Sequence, residues 1–201
     1  MVLKFIPKVI EGKEHQKPIR EAAILNYIKD ECDALFLCFE NLYETPSHWI
    51  IESEFLAESE ELSDYFNRLA AEDPAKRDKA VVDLLEPLIQ IITKMHQLGI
   101  AHRDIHGGNV MIHTPTGKLK IIDFGQACVG EEDCRENLPP LLRSFRLDLD
   151  GLVDIILAAF GGDTGKIPPE FVSRYPATAA RVQRLFSLAR NKAVYDPFAP
   201  I

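Results

Sequence analysis

Three side chains with hard oxygen atoms follow one another at short spacings in the middle of the chain. Asp104 lies in the segment IAHRDIHGGNV, Asn109 follows five residues later, and Asp123 lies nineteen residues after Asp104 in IIDFG. Carboxylate and amide oxygens are ligands that Mg²⁺ prefers, and a further carboxylate can orient a hydroxyl or accept its proton. Phosphoryl transfer needs this combination, because its transition state demands mainly positioning and charge stabilisation. The pattern predicts Asn109 and Asp123 as metal ligands and Asp104 beside an acceptor hydroxyl.

A helix and a hairpin should hold these residues in place. Apolar residues recur at three- and four-residue spacing over residues 79–98, which predicts a largely buried helix with a kink or a join at Pro87. Gly99 should end this helix. Residues 110–113 and 118–122 then predict two strands around the turn TPTG. The candidate residues therefore lie on the loops at either end of a hairpin.

Taken together, the H-R-D triplet, the asparagine five residues on and the D-F-G triplet resemble the catalytic and magnesium-binding loops of the protein kinase family. The resemblance implies an α+β, two-lobed protein-kinase-like fold with a truncated N-lobe sheet and a mainly helical C-lobe. It implies a reduced N-lobe at residues 1–57, a C-lobe at residues 58–201, and ATP and Mg²⁺ as cofactors. His102 and Phe124 are expected to carry packing.

The resemblance extends upstream to a lysine and a glutamate. Residues 1–7 predict a strand and residues 17–29 a helix. In the family, the equivalent strand carries a phosphate-binding lysine and the helix carries its ion-pair partner. The resemblance thus implies Lys4 and Glu21, seventeen residues apart, although Lys8 leaves the register open.

Residues 35–39 and 49–56 predict two further strands, joined by a turn over residues 40–48. The second of them resembles the strand and hinge that contact adenine. The resemblance implies Ser53 at the gatekeeper position, the backbone of Glu54 and Leu56 against the purine, and Met111 among the nucleotide-binding residues. A shift in register would place Ile51 at the gate instead.

Downstream of D-F-G, the resemblance implies a buried aspartate that begins the central helix and braces the catalytic loop. Asp148 is the first choice and Asp150 the alternative, and either could be a helix N-cap. Helices are predicted over residues 149–160, stopped by Gly161 and Gly162, and over residues 177–193, with a surface helix and loop over 58–78. We expect Arg103 to bind one of three nearby acidic residues, namely Glu131, Glu132 or Asp133.

Two departures from the family pattern leave the function open. No G-x-G-x-x-G loop precedes Lys4, which leaves three alternatives: a reduced kinase, a fragment, or a kinase whose nucleotide lid is supplied by another segment or by a partner protein that completes the N-lobe. His106 stands where the family usually has a lysine, and D-x-H-x-G-N also resembles aminoglycoside and choline phosphotransferases. The favoured function is an ATP-dependent kinase acting on a hydroxyl of protein Ser/Thr, with His106 among the catalytic residues. The alternatives are a partner-binding pseudokinase and a small-molecule kinase.

Composition limits the partners and the compartment. The formal charge of −8 and the absence of a long apolar run argue against nucleic acid and membrane as partners. The four cysteines do not have the C-x2-C spacing of common zinc sites, so reduced thiols and a cytoplasmic or nuclear location are expected.

Overall fold

The computed structural model describes residues 1–10, 13–14, 17–32, 35–135, 141–160, 166–190 and 195–199. The strands are β1 (Val2–Pro7), β2 (Val9–Ile10), β3 (Lys13–Glu14), β4 (Phe39–Glu44), β5 (His48–Ser53), β6 (Ser59–Glu61), β7 (Ile100–Ala101), β8 (Val110–His113), β9 (Lys118–Ile121) and β10 (Cys128–Val129). The helices are α1 (Lys17–Tyr27), α2 (Leu62–Glu72), α3 (Pro74–Gln97), α4 (Gly130–Arg135), α5 (Leu141–Ala159), α6 (Pro169–Arg174) and α7 (Pro176–Arg190). The fold is therefore α+β, as predicted.

A small antiparallel sheet and one helix form the N-terminal part of the molecule. The strand order is β1-β5-β4, with Lys4 opposite Ile51, and α1 packs against β4 and β5. Ile24, Leu25 and Ile28 are buried on one face of α1, as predicted. The predicted division at residues 57 and 58 falls between β5 and β6, and it remains a prediction.

Helices make up most of the remainder. α3 and α5 pack against each other, and α2 and α7 cover α5. A second sheet, β6-β8-β9, carries the predicted hairpin, and the short pair β7 and β10 joins the chain on either side of it. Gly99 ends the region of α3 with a φ of 75°, a value that glycine adopts without strain. Within the described residues, no helix is long and apolar enough to span a bilayer.

The predicted strand at residues 35–39 and turn at residues 40–48 were wrong. β4 begins at Phe39 and runs to Glu44, and the turn is confined to the residues before His48. Phe36 is fully buried and forms an isolated backbone bridge with Ile121 of β9. The apolar residues predicted as a strand at 35–39 therefore pack against the sheet that contains β9. The register of β4 against β5 shifts between Phe39 and Asn41, which leaves Glu40 unpaired, and the side chain of Asn41 accepts the N–H of Leu42. Turn-forming residues therefore lie inside a strand here.

Several helix boundaries also differ from the prediction. α5 begins at Leu141 instead of residue 149, because Asp148 occupies a buried position that interrupts the apolar pattern. Consequently Asp148 is not an N-cap. α3 begins at Pro74, capped by the side chain of Asp73, and continues through Pro87 as one helix. The predicted stop at residues 161–162 and the last residues of the final predicted helix lie outside the described residues.

The expectation of reduced thiols was wrong. Cys32 is bonded to Cys38, and Cys128 to Cys134. The two Cα–Cα distances are 4.7 and 5.2 Å, within the range that a disulfide can bridge. Disulfides are rare in reducing compartments, so the cysteines no longer support the expected cytoplasmic or nuclear setting.

Candidate active site

A buried carboxylate holds the loop that carries Asp104 through backbone hydrogen bonds. Asp148, which has no exposed surface, accepts the backbone N–H of His102 at 2.8 Å and that of Arg103 at 2.6 Å. Gly151, on the next turn of α5, lies so close to the loop that an added Cβ would collide with the carbonyl of Ile105. The choice between Asp148 and Asp150 is thus settled, because Asp150 lies at the surface and binds Arg190.

A second layer of hydrogen bonds holds Asp148 itself. His96 Nε2 lies 3.0 Å from Asp148 Oδ2, and His96 Nδ1 lies 2.9 Å from the hydroxyl of Tyr195. Burial raises the pKa of Tyr195 to about 12, so this hydroxyl keeps its proton at neutral pH. The carboxylate of Asp148 can only accept, so His96 donates to it from Nε2, and Nδ1 accepts from the hydroxyl of Tyr195. No motif or periodicity points to His96 and Tyr195, which are 99 residues apart.

Asp104 and Asn109 face each other across a short 3₁₀ turn at Gly107–Asn109. The amide nitrogen of Asn109 donates to the carbonyl of Asp104 at 2.9 Å and lies 3.4 Å from its carboxylate. His106 accepts the N–H of Gly108 on Nδ1 at 3.1 Å, and its Nε2 lies 4.0 Å from Asp104 Oδ1. The loop therefore places an exposed carboxylate, an amide and an imidazole side by side.

Asp123 is held in a left-handed conformation, with a φ of 59°, by the packing of the next residue. Phe124 is fully buried, and its ring packs edge-on against Phe36 and His102. His102 Nε2 donates to the carbonyl of Ile122 at 3.0 Å, and burial lowers the pKa of His102, so the ring is neutral. His102 and Phe124 thus have packing roles, as predicted.

Lys4 links the N-terminal sheet to Asp123. Its Nζ lies 3.1 Å from both carboxylate oxygens of Glu21 and 2.9 Å from Asp123 Oδ1. Lys8 is excluded as the alternative because it pairs with Glu44. The predicted Lys4, Glu21 and Asp123 therefore meet at one point, although 119 residues separate Lys4 from Asp123.

The charges of this trio are mutually dependent. Burial alone would lower the pKa of Lys4, but Glu21 and Asp123 outweigh it and raise that pKa above its ordinary value. Burial raises the pKa of Glu21, and the charge of Lys4 opposes this rise. The pKa of Asp123 is lowered, because Lys4 and the N–H of Gly125 outweigh its burial. Lys4 thus shares its single positive charge between two carboxylates.

The predicted hinge follows β5. Ser53 is buried at the end of the strand, the backbone N–H of Glu54 donates to the carbonyl of Cys38 at 3.0 Å, and the Glu54 side chain binds Lys120. A cavity of about 280 Å³ lies beside Glu54, Leu56 and Met111. Ile51 is buried on the same strand, so the gatekeeper register and the purine contacts remain predictions.

Asn109 and Asp123 fit a Mg²⁺ ion. The amide nitrogen of Asn109 is used by Asp104, which leaves its carbonyl oxygen as the natural ligand, and the Asp123 side chain is nearly half exposed. Within the described part of the chain, no group of three or more His, Cys, Asp or Glu residues is arranged to hold a metal ion. Mg²⁺ commonly uses one or two protein oxygens together with phosphate oxygens and water, so the pair suffices.

The predicted acidic partner of Arg103 was wrong. Arg103 donates from Nε to the carbonyl of Gln126 at 2.7 Å. Asp133 instead binds Arg20 on α1, next to Glu21. These two residues are 113 positions apart, and neither belongs to a local motif, so sequence reasoning did not find their contact.

Comparisons with known proteins agree with this geometry. The family model for the protein kinase domain matches residues 1–144. Calcium/calmodulin-dependent protein kinase type 1B of Rattus norvegicus and of Homo sapiens is 30% identical over 128 residues, covering 62% of this chain and 35% of the relative. Serine/threonine-protein kinase PknA of Mycobacterium tuberculosis is 46% identical over 46 residues, covering 23% of this chain and 10% of the relative. The chain thus spans about a third or less of the length of these relatives.

Proposed function

Because the chain belongs to the protein kinase family, we propose that it is an ATP- and Mg²⁺-dependent phosphotransferase that acts on a hydroxyl group. The observation that carries the proposal is the meeting of Lys4, Glu21 and Asp123 within 3.1 Å, beside the paired Asp104 and Asn109. Lys4 and Asp123 are partly exposed and Glu21 is buried, and the three come from distant parts of the chain. A site for a polyanion and its metal ion gives a reason for them to meet.

Each residue has a role that follows from its contacts. Asn109 Oδ1 and Asp123 would hold Mg²⁺, which would supply positive charge to the phosphate oxygens. Lys4 exchanges its contact with Asp123 for phosphate oxygens, while Glu21 keeps the lysine in place. Asp104 orients the acceptor hydroxyl and accepts its proton, as the acceptor oxygen bonds to the γ-phosphorus and ADP leaves. Ser53, Glu54, Leu56 and Met111 surround the purine.

A protein Ser/Thr hydroxyl is the favoured acceptor, since relatives named serine/threonine-protein kinases match the chain. His106 favours a second acceptor class, a small-molecule alcohol. Its Nδ1 accepts the N–H of Gly108, so its Nε2 carries the proton and can donate to the transferred phosphate. This imidazole N–H stabilises the negative charge of the transferred phosphate less than a lysine would. It therefore suits an acceptor that needs less charge stabilisation.

A non-catalytic scaffold is the second candidate function. β1 pairs with β5 on one side, and its side chains Leu3 and Phe5 are 46% and 60% exposed. Exposed apolar side chains beside an edge strand are typical of a surface that another chain covers. Such a partner would either complete the nucleotide site or be the protein through which a non-catalytic scaffold acts.

Radiolabelled γ-phosphate transfer tests the proposal. The purified chain is incubated with Mg-ATP and, in turn, no acceptor, a Ser/Thr peptide library and choline. We expect Mg²⁺-dependent transfer that falls at least about 100-fold in Asp104→Asn, the lower end for loss of a general base. Asp123→Asn should abolish the Mg²⁺-dependent transfer.

Asp64→Asn, at an acidic residue in the first turn of α2, is the matched control and should retain full transfer. Equal background in the parent and both site variants would overturn the catalytic proposal. If a thermal shift with Mg-ATP persisted under those conditions, the scaffold would become the preferred function. A ligand at 100 times its dissociation constant adds about 2.7 kcal/mol to stability, which such a scan detects readily.

A further inference from the structure

The segment after Asp123 contains a carboxylate whose position is fixed from within. Asp133 lies on α4, and its Oδ2 accepts the backbone N–H of Val129 at 2.9 Å. The Cys128–Cys134 disulfide closes the same short stretch of chain, and both cysteines are fully buried. Asp133 is thus part of a closed loop anchored in the core.

The other carboxylate oxygen of Asp133 contacts α1. Arg20 Nη2 donates to Asp133 Oδ1 and, at 3.2 Å, to the backbone carbonyl of the same residue. Arg20 immediately precedes Glu21, and neighbouring residues on a helix point about 100° apart. One face of α1 therefore holds Glu21 against Lys4, while the adjoining face is tied to the closed loop.

The charges around this contact are balanced by Asp133. Arg103 lies near Arg20, and the two guanidinium groups repel each other, whereas Asp133 attracts both. Burial would raise the pKa of Asp133, but its hydrogen bonds with Arg20 and Val129 lower it, so the carboxylate stays ionised at neutral pH. Without this carboxylate, two like charges would face each other between α1 and the catalytic loop.

We propose that Asp133, acting through Arg20, is a positioning residue that holds α1 so that Glu21 meets Lys4. It would thereby set the affinity for Mg-ATP without touching the nucleotide. The inference rests on the proposed kinase function for its kinetic effect. The position of α1 itself can be measured without ATP.

The test compares Arg20→Ala and Asp133→Ala with the charge-reversed double variant Arg20→Asp/Asp133→Arg. We expect each single variant to raise the KM for Mg-ATP about fivefold, the lower end for coupling between two sites. The KM for the acceptor should stay unchanged. The double variant should recover part of the loss, because it restores an ion pair between the same positions but leaves the N–H of Val129 without its acceptor.

Hydrogen exchange of residues 17–27 in the ligand-free protein supplies the second readout, and faster exchange is expected in both single variants. Arg181→Ala is the matched control. Its ion pair with Glu86 at 2.9 Å is comparably exposed, 36% and 52% against 35% and 40% for Arg20 and Asp133, and it joins α3 to α7 away from the site. This control should leave both readouts at parent values.

Asp133→Glu serves if the double variant fails to fold, because it retains the charge and should stay close to the parent. Unchanged exchange of α1 in both single variants, or an equal effect in Arg181→Ala, would overturn the inference. A parent that transfers no phosphate would refute the proposed function, while the exchange measurement would still decide whether Asp133 holds α1.

Discussion

The two halves of the candidate site are held by different kinds of contact. The catalytic-loop half, which contains Asp104 and Asn109, rests on Asp148, a carboxylate with no exposed surface. The lysine half rests on Lys4, whose side chain is 41% exposed and lies on a strand with exposed apolar neighbours. A buried network tolerates few arrangements, whereas a partly exposed ion pair is readily exchanged for other partners. The contacts of Asp148 therefore fix the loop that carries Asp104 and Asn109, whereas the ion pairs of Lys4 are the ones we expect a ligand to exchange.

Removal of Asp148 should have the largest effect on stability. In Asp148→Ala, the N–H groups of His102 and Arg103 lose their acceptor and His96 loses its partner, all inside the core. We expect the free energy of unfolding to fall by about 3–5 kcal/mol, as for other broken buried networks. Urea unfolding measures it.

Asp150→Ala provides the contrast on the same helix. Its partner Arg190 is exposed, so the loss should stay below about 1 kcal/mol. Similar losses in the two variants would mean that the catalytic loop is not braced by Asp148, and the contrast between the two halves would disappear.

Tyr195→Phe should have an intermediate effect. The variant keeps the ring packed against His96 and Phe145 but removes the hydroxyl that donates to His96. We expect a loss of about 1 kcal/mol in the free energy of unfolding, typical of one buried hydrogen bond. Tyr27→Phe is the control, because the Tyr27 hydroxyl is exposed and lies 3.4 Å from its acceptor. Equal losses would show that Tyr195 contributes through its ring alone.

Sequence reasoning reached the parts of the site that have local signatures. Asp104, Asn109 and Asp123 lie within one helix-loop-hairpin unit, and the resemblance to the protein kinase family pointed to Lys4 and Glu21 on the first strand and helix. The contacts of Asp133 with Arg20 and of Tyr195 with His96 join residues that are 113 and 99 positions apart. Tertiary packing alone creates such pairs, so no periodicity or motif announces them.

The same limit explains the errors in the fold. Polar residues at buried positions disturb the apolar pattern, as Asp148 does in α5, and the turn former Asn41 lies inside β4, paired with Glu52. The disulfides were missed for another reason. Cysteine spacing alone does not show whether two Cα atoms approach within bonding distance, and the fold decides this.

The smallest effect should appear in Lys4→Met, and its pH dependence tests the lysine half. Lys4 lowers the pKa of Asp123 below its ordinary value of 3.8 and opposes the rise in the pKa of Glu21 above 4.5. The stabilising contacts of Lys4 with both carboxylates are therefore present at neutral pH, and they are lost as the carboxylates are protonated in acid. We expect the variant to be less stable than the parent by less than about 1 kcal/mol at pH 7, since Lys4 is partly exposed. The difference should shrink as the pH falls through the range of the two carboxylates, because protonation removes the charges that Lys4 neutralises.

Urea unfolding at several pH values measures this difference, with Lys8→Met as the control. Lys8 lies near the same strand, but its partner Glu44 is 62% exposed, so its removal leaves no buried carboxylate without a cation. A constant difference between the parent and Lys4→Met across the acid range would show that Lys4 contributes by packing. The lysine half would then be as independent of charge as a hydrophobic contact, and its proposed exchange between Asp123 and phosphate oxygens would lose its electrostatic basis.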